Sequence, residues 1–268
     1  MRVNFFAEGN VTLHPIIATK CPTAETNRRD SKRQIFCGGE RRLSVSENFR
    51  ALLGEIDLAR ARRTVAEGEP ITLVAVTKTH GVELMRQAID AGATDIGENR
   101  VQEAAEKFPS LERNVTRHLI GHLQTNKVKL AVKLFDVIQS VDSIHLATAL
   151  NKAAASVQKV QDVLIQVNLA REVQKSGVAP EDLPQLIDAV DAANNLNLRG
   201  LMMIAPLVAD AEECRPLFCR MRKIFDDLKP TRTGFDLLSM GMTHDFAVAV
   251  EEGANVVRIG TAIFGQRP

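Results

Sequence analysis

From Ile71 onward the chain repeats one pattern: a short apolar, β-branched run, a polar break, then apolar residues three and four apart. The first run starts at Ile71 and breaks off in Thr77-Lys78-Thr79-His80, and helical spacing follows over Val82–Asp90. The same reading places further strands at Thr94–Gly97, Arg117–Ile120, Val137–Val141, Val163–Asn168, Leu198–Ile204, Phe235–Ser239 and Asn255–Ile259. Helical spacing between them falls at Val101–Lys107, Lys127–Val132, Ser143–Ala155, Leu183–Val190, Cys214–Leu228 and Phe246–Glu251. Ahead of the first strand, Ser44-Val45-Ser46-Glu47 is a capping-box pattern. Phe49, Leu52, Leu53, Ile56 and Ala59 then carry a helix expected to close at Gly68.

Eight strand–helix alternations in roughly 225 residues predict an α/β fold, a single (β/α)8 barrel of the TIM type. The helix before strand one is expected to take the outer position that the short stretch after strand eight leaves open. An open doubly wound sheet is the runner-up, but it needs no element before strand one, and no G-x-G-x-x-G follows an early strand. Residues 1–43 show no sustained period and read as an irregular extension, so the expected organisation is 1–43 as an appendage and 44–268 as the barrel. A start of translation near Leu43 is the alternative, which the intact mass of the native protein tests.

Charge sharpens that division. Residues 1–43 hold eight basic and four acidic residues, so a chain of formal net charge +1 has a body of net −3. Near-neutrality gives no general argument for nucleic acid or membrane as a partner. No apolar run approaches the ~20 residues of a membrane span, and no secretory h-region opens the chain. Four cysteines make no disulfide framework; Cys214 and Cys219 fall about 140° apart on one predicted helix. A cytoplasmic protein with reduced thiols is expected, as a monomer or weak dimer.

The chemistry starts at Lys78. In a parallel barrel the C-terminal strand ends meet ligand, and an amine whose stem lies in apolar surroundings drops from pKa about 10.4 toward a useful carbonyl nucleophile. One lysine at a strand end is most often a solvated loop residue, so the rest of the constellation has to single it out. Leu238-Ser239-Met240-Gly241-Met242 follows strand seven and Arg258-Ile259-Gly260-Thr261 follows strand eight, where barrels commonly hold phosphate. Either loop alone reads as an ordinary strand-end turn; together with Lys78 they suggest a Schiff-base lysine beside a phosphate cup. A sugar-phosphate aldolase and a protein holding pyridoxal phosphate both answer to that description.

Further segments decide between them. Ala75-Val76-Thr77-Lys78-Thr79, Gly97-Glu98-Asn99-Arg100-Val101-Gln102-Glu103, His118 through Lys127, Lys175-Ser176-Gly177, Gly200-Leu201-Met202 and the two phosphate loops extended to Gly265 resemble the pyridoxal phosphate homeostasis protein family, single-domain relatives of the alanine racemase barrel. The resemblance covers about residues 44–267. It implies that Lys78 forms the internal aldimine with pyridoxal 5′-phosphate, and that Ser239, Gly260 and Thr261 hold the phosphate while Met240, Gly241 and Met242 shape the loop. It further implies Arg258 at the pyridine nitrogen, where a permanently protonated donor keeps the ring a poor electron sink. Asn99 and His118 are expected to line the pocket; for His118 a hydrogen-bonded core histidine is the competing reading. Arg117 departs from the aromatic residue that many relatives carry there.

The function implied is a carrier of vitamin B6 cofactor in its homeostasis, not an enzyme, with hand-over to pyridoxal-phosphate-dependent apoenzymes as a further expectation. An amino-acid racemase is the first alternative, but resemblance to alanine racemases implies a tyrosine base, and the 268 residues contain no tyrosine. No second domain of the kind those enzymes use is expected beside the barrel. A Schiff-base aldolase is the second. A metal held by His118 and His122 is disfavoured, because four strand residues span about 13 Å.

Overall fold

The computed structural model describes residues 44–172 and 174–266; the expected extension over 1–43 lies outside them. Eight parallel strands close a barrel in sequence order. They are β1 (Thr72–Val76), β2 (Asp95–Glu98), β3 (Thr116–Leu119), β4 (Val137–Val141), β5 (Gln161–Gln166), β6 (Leu196–Met202), β7 (Leu237–Ser239) and β8 (Val256–Ile259). Closure is made by β1 against β8, with Val74 opposite Arg258 and Ala75 opposite Ile259. The TIM-type barrel expected from the alternation is therefore the fold.

Helices α1 (Val45–Ala61), α2 (Val82–Asp90), α3 (Val101–Lys107), α4 (Val128–Leu134), α5 (Ile144–Ser156), α6 (Leu183–Asp191), α7 (Arg215–Leu228), α8 (Phe246–Glu251) and the single turn α9 (Thr261–Phe264) surround it. Ser44 accepts from the Glu47 amide while the Glu47 carboxylate accepts from the Ser44 amide, so the capping box forms as the sequence predicts. α1 buries Phe49, Leu52, Ile56 and Ala59 and packs against α2, α8 and α9, which places it in the gap beside strand eight.

α1 stops at Ala61, seven residues short of Gly68. The cause is Arg63: its buried guanidinium donates to the carbonyls of Val250 (2.8 Å), Ala66 (3.2 Å) and Ala254, so the chain turns inward to satisfy the end of α8. Both β5 and β6 begin two residues before the expected starts. Polar Gln161, Asp162 and Asn197, which read as loop, join the ladder because Asn197 and Arg199 both bond the Asp162 carboxylate (2.7 and 2.8 Å). β7 begins at Leu237, since Phe235 leaves the strand line to stack on Phe225 with centroids 5.0 Å apart.

The barrel interior is layered. Arg199 ties Asp162 to Asp236 near the N-terminal strand ends. Above this sit Val137, Leu164 and Met202, a small apolar plug separate from the main core between strands and helices. Toward the C-terminal ends the interior turns polar, with His118, Gln139, Ser239 and Arg258 all buried. That inversion directs attention to the C-terminal mouth.

Candidate functional site

Lys78 lies two residues beyond β1, half buried, in a turn closed by the His80 amide donating to the Thr77 carbonyl (3.1 Å). Thr79 has φ 66°, a left-handed conformation that costs a β-branched residue roughly 1–2 kcal/mol. The turn is held from below. The Thr77 hydroxyl donates to Glu98 Oε1 (2.7 Å), the Thr79 amide donates to Glu103, and Lys107 Nζ donates to the Thr77 carbonyl and Glu98 Oε1 (both 2.9 Å) and to Glu103. Glu98 is fully buried; burial pushes its carboxyl up, and hydrogen bonds from Thr77 and Lys107 oppose that rise.

Inside the mouth a hydrogen-bonded wire crosses the barrel. Arg258 Nη1 donates to Ser239 Oγ, Ser239 Oγ donates to Gln139 Oε1 (2.7 Å), Gln139 Nε2 donates to His118 Nδ1 (2.9 Å), and His118 Nε2 donates to Asp95 Oδ1 (2.8 Å). Its direction follows from its ends: a guanidinium only donates and a carboxylate only accepts, which determines the amide orientation and puts the imidazole proton on Nε2. Burial acts to raise the Asp95 carboxyl, but bonds from His118 and Thr94 outweigh it and hold the group below its ordinary value. Arg258 also donates through Nη2 to the Met203 carbonyl (2.8 Å), and burial pulls its pKa down to about 10.

The two loops beside Arg258 are tightly specified. Gly241 has φ 96°, and a Cβ there would stand 2.7 Å from Ala249 Cβ, so only glycine lets the loop lie on α8. The Met242 amide donates to the buried Asp245 carboxylate (2.6 Å), while Met240 is buried and Met242 half buried. Gly260 follows β8, and a Cβ on it would approach the Val76 carbonyl to 3.1 Å, so the loop after β8 runs close to the root of the lysine turn. Thr261 is exposed at the start of α9. Across the mouth, Gly121 allows the loop after β3 to touch the Asn99 main chain; a Cβ would lie 2.3 Å from the Asn99 carbonyl oxygen. The Asn99 Oδ1 atom is buried with no hydrogen-bond partner among the described residues.

The fold thus brings Lys78, Asn99, Met240, Gly241, Met242, Gly260 and Thr261 to the C-terminal strand ends, with Ser239, Arg258 and His118 beneath them inside the barrel. His118 is a bonded core histidine rather than an exposed wall. Gln139, Asp95, Lys107 and Asp245 carry bonds on which the site depends and had no assigned role in the sequence reading. Gln139 had a signal: with Ser140 it interrupts an otherwise apolar strand buried at every position. His122 sits beside Asp142 (3.4 Å), and the described residues hold no group of three or more acidic, histidine or cysteine side chains placed to bind a metal.

Residues 57–268 match the family profile of the alanine racemase N-terminal domain. The pyridoxal phosphate homeostasis protein of Aquifex aeolicus is 42% identical over 197 residues, covering 73% of this chain and 86% of its own length. That of Escherichia coli K12 is 39% identical over 227 residues, covering 83% and 97%. Among solved structures, PipY of Synechococcus elongatus with pyridoxal phosphate bound is 35% identical with a TM-score of 0.73, covering 83% of this chain and 100% of PipY. An alanine racemase of Clostridium difficile, 17% identical with a TM-score of 0.64, shares the fold alone.

Proposed function

This chain belongs to the pyridoxal phosphate homeostasis proteins, built on the alanine racemase N-terminal domain, and from that premise we propose that it binds pyridoxal 5′-phosphate at its barrel mouth and takes part in vitamin B6 homeostasis. The observation that carries the reading is Arg258. It is buried, donates to two neutral acceptors, and has no carboxylate within salt-bridge reach among the described residues. A buried cation without a bonded anion is costly unless a ligand supplies an acceptor. The orphaned Asn99 Oδ1 and the glycine-lined loops at the same mouth fit an incoming phosphorylated heterocycle as well.

When bound, the cofactor supplies an aldehyde that a lysine amine captures reversibly with loss of water. Lys78 is the capturing amine in this reading, because its turn stands over the polar interior and its neighbours on both sides are anchored. Arg258 donates to the ring nitrogen; a pKa of about 10 still leaves it protonated at neutral pH. Ser239, Gly260 and Thr261 hold the phosphate, with Met240, Gly241 and Met242 shaping the loop. Ser239, with its hydroxyl between Gln139 and Arg258, orients the guanidinium beneath that cup. Asn99 lines the pocket, and His118 steadies it through the wire.

The role is that of a holder rather than a catalyst, which accords with the names of the relatives and with a chain lacking tyrosine. Delivery to apoenzymes in the cytoplasm completes the proposal; no helix among the described residues is long and apolar enough to cross a membrane. The test is to load the protein, remove free cofactor, and divide it: one portion is mixed with an apo-aminotransferase to follow recovery of that enzyme's activity, and the other is incubated alone with L-alanine in deuterated water to follow α-hydrogen exchange and D-alanine. Reactivation without sustained exchange is expected. Repeated turnover of alanine would assign a racemase.

A further inference from the structure

We propose that Lys107 is a positioning residue for Lys78, acting through the two residues that flank it. The inference rests on the assignment of Lys78 as the capturing amine and extends it to a side chain eight residues past the pocket-lining Asn99, at the end of α3. Thr77 is held twice, through its carbonyl on Lys107 Nζ (2.9 Å) and through its hydroxyl on Glu98 Oε1 (2.7 Å). Thr79 is held through its amide on Glu103 Oε1. Lys107 Nζ meets both of those carboxylate oxygens, so a single amine gathers every one of these anchors.

The barrel ladder does not need this arrangement. β1 ends at Val76, and the last ladder bond, Thr77 amide to Gly97 carbonyl (3.0 Å), lies before the turn. What the cluster does hold is the left-handed Thr79, a conformation that reverts to the extended or right-handed region unless its surroundings over-determine it. The side-chain ends are well shielded, Lys107 at 12% exposure and Glu98 at 0%, so their attraction is little weakened by solvent. A carboxylate as buried as Glu98 is costly without a paired cation, and one cation serves both the charge and the turn. The consequence is directional: with Thr77 and Thr79 both fixed, the Cα–Cβ bond of Lys78 has one orientation, and its amine approaches the aldehyde without a search over turn conformers.

The experiment compares two ligands that differ only at the reacting carbon. Pyridoxal 5′-phosphate carries the aldehyde; pyridoxine 5′-phosphate carries an alcohol and tests the phosphate and ring contacts alone. In Lys107→Met the apparent affinity for the aldehyde is expected to fall at least about tenfold, while affinity for the alcohol stays within about twofold. Lys107→Arg, which keeps the charge and donors, is expected to recover part of the loss. Should Lys107→Met not fold, Glu103→Ala, which frees the Thr79 amide and leaves the Glu98–Lys107 pair in place, carries the same expectation. Equal losses for both ligands, or no loss for either, would overturn the positioning role. Wild-type protein that fails to capture the aldehyde at Lys78 would instead overturn the assignment on which it rests.

Discussion

At the scale of single residues, the account separates chemistry from stability. Lys78 is half buried in a surface turn, so Lys78→Ala is expected to change unfolding free energy by less than about 1 kcal/mol and to abolish borohydride-resistant cofactor, both read on one preparation. Arg258→Met removes a costly buried charge but strips the Ser239 hydroxyl and the Met203 carbonyl of their donor, so apo-protein stability is expected to change by no more than about 1–3 kcal/mol while cofactor affinity falls. A variant that loses stability and keeps affinity would refute its place at the ring. Gly121→Ala is expected to cost about 1–3 kcal/mol in denaturant unfolding, because its Cβ has to displace the Asn99 main chain. In the sequence Lys78 stood out as a lysine just past a strand, whereas the role proposed for Arg258 came from the family resemblance. The Gly121 contact was not legible there, since it depends on the approach of two separate loops.

At the scale of elements, the polar wire makes the acid response of the fold specific. Asp95 lies below its ordinary value in the folded protein, so its contribution is full above that value and is lost as pH falls through the folded one. Glu98 has the reverse sign, since its carboxyl is raised and protonation on acidification favours the folded state. The comparison that isolates Asp95 is therefore wild type against Asp95→Asn, by denaturant unfolding from about pH 6 to pH 3. The variant is expected to lose less stability below about pH 4; parallel slopes would remove the His118–Asp95 bond from the account. The elements themselves were readable, with β4, α2, α3 and α8 found where periodicity put them. The wire was not, because its members stand 23, 21, 100 and 19 residues apart and only closure of the barrel makes them neighbours. The ends of α1, β5, β6 and β7 shifted for a related reason: Arg63, Asp162 and Phe235 obey partners on other elements.

At the scale of the whole molecule, eight alternations and a capped leading helix were enough to derive the barrel, because each element had its own local signal. The site followed less fully, since strand-end motifs mark a mouth but do not report what lies under it. The boundary at Ser44 is testable as well: protein beginning at residue 44 is expected to keep the melting temperature and cofactor affinity of the full chain, and loss of either would move the boundary. The central claim is that Lys78 captures pyridoxal phosphate above Arg258, and the most direct measurement is the absorbance spectrum before and after borohydride, with peptide mapping of the product. With no tryptophan or tyrosine the chain contributes almost nothing near 280 nm, so the cofactor dominates. The account predicts a yellow band that reduction abolishes, leaving the cofactor's mass on the peptide containing Lys78. Protein that stays colourless with added pyridoxal phosphate, or a label on another lysine, would contradict it.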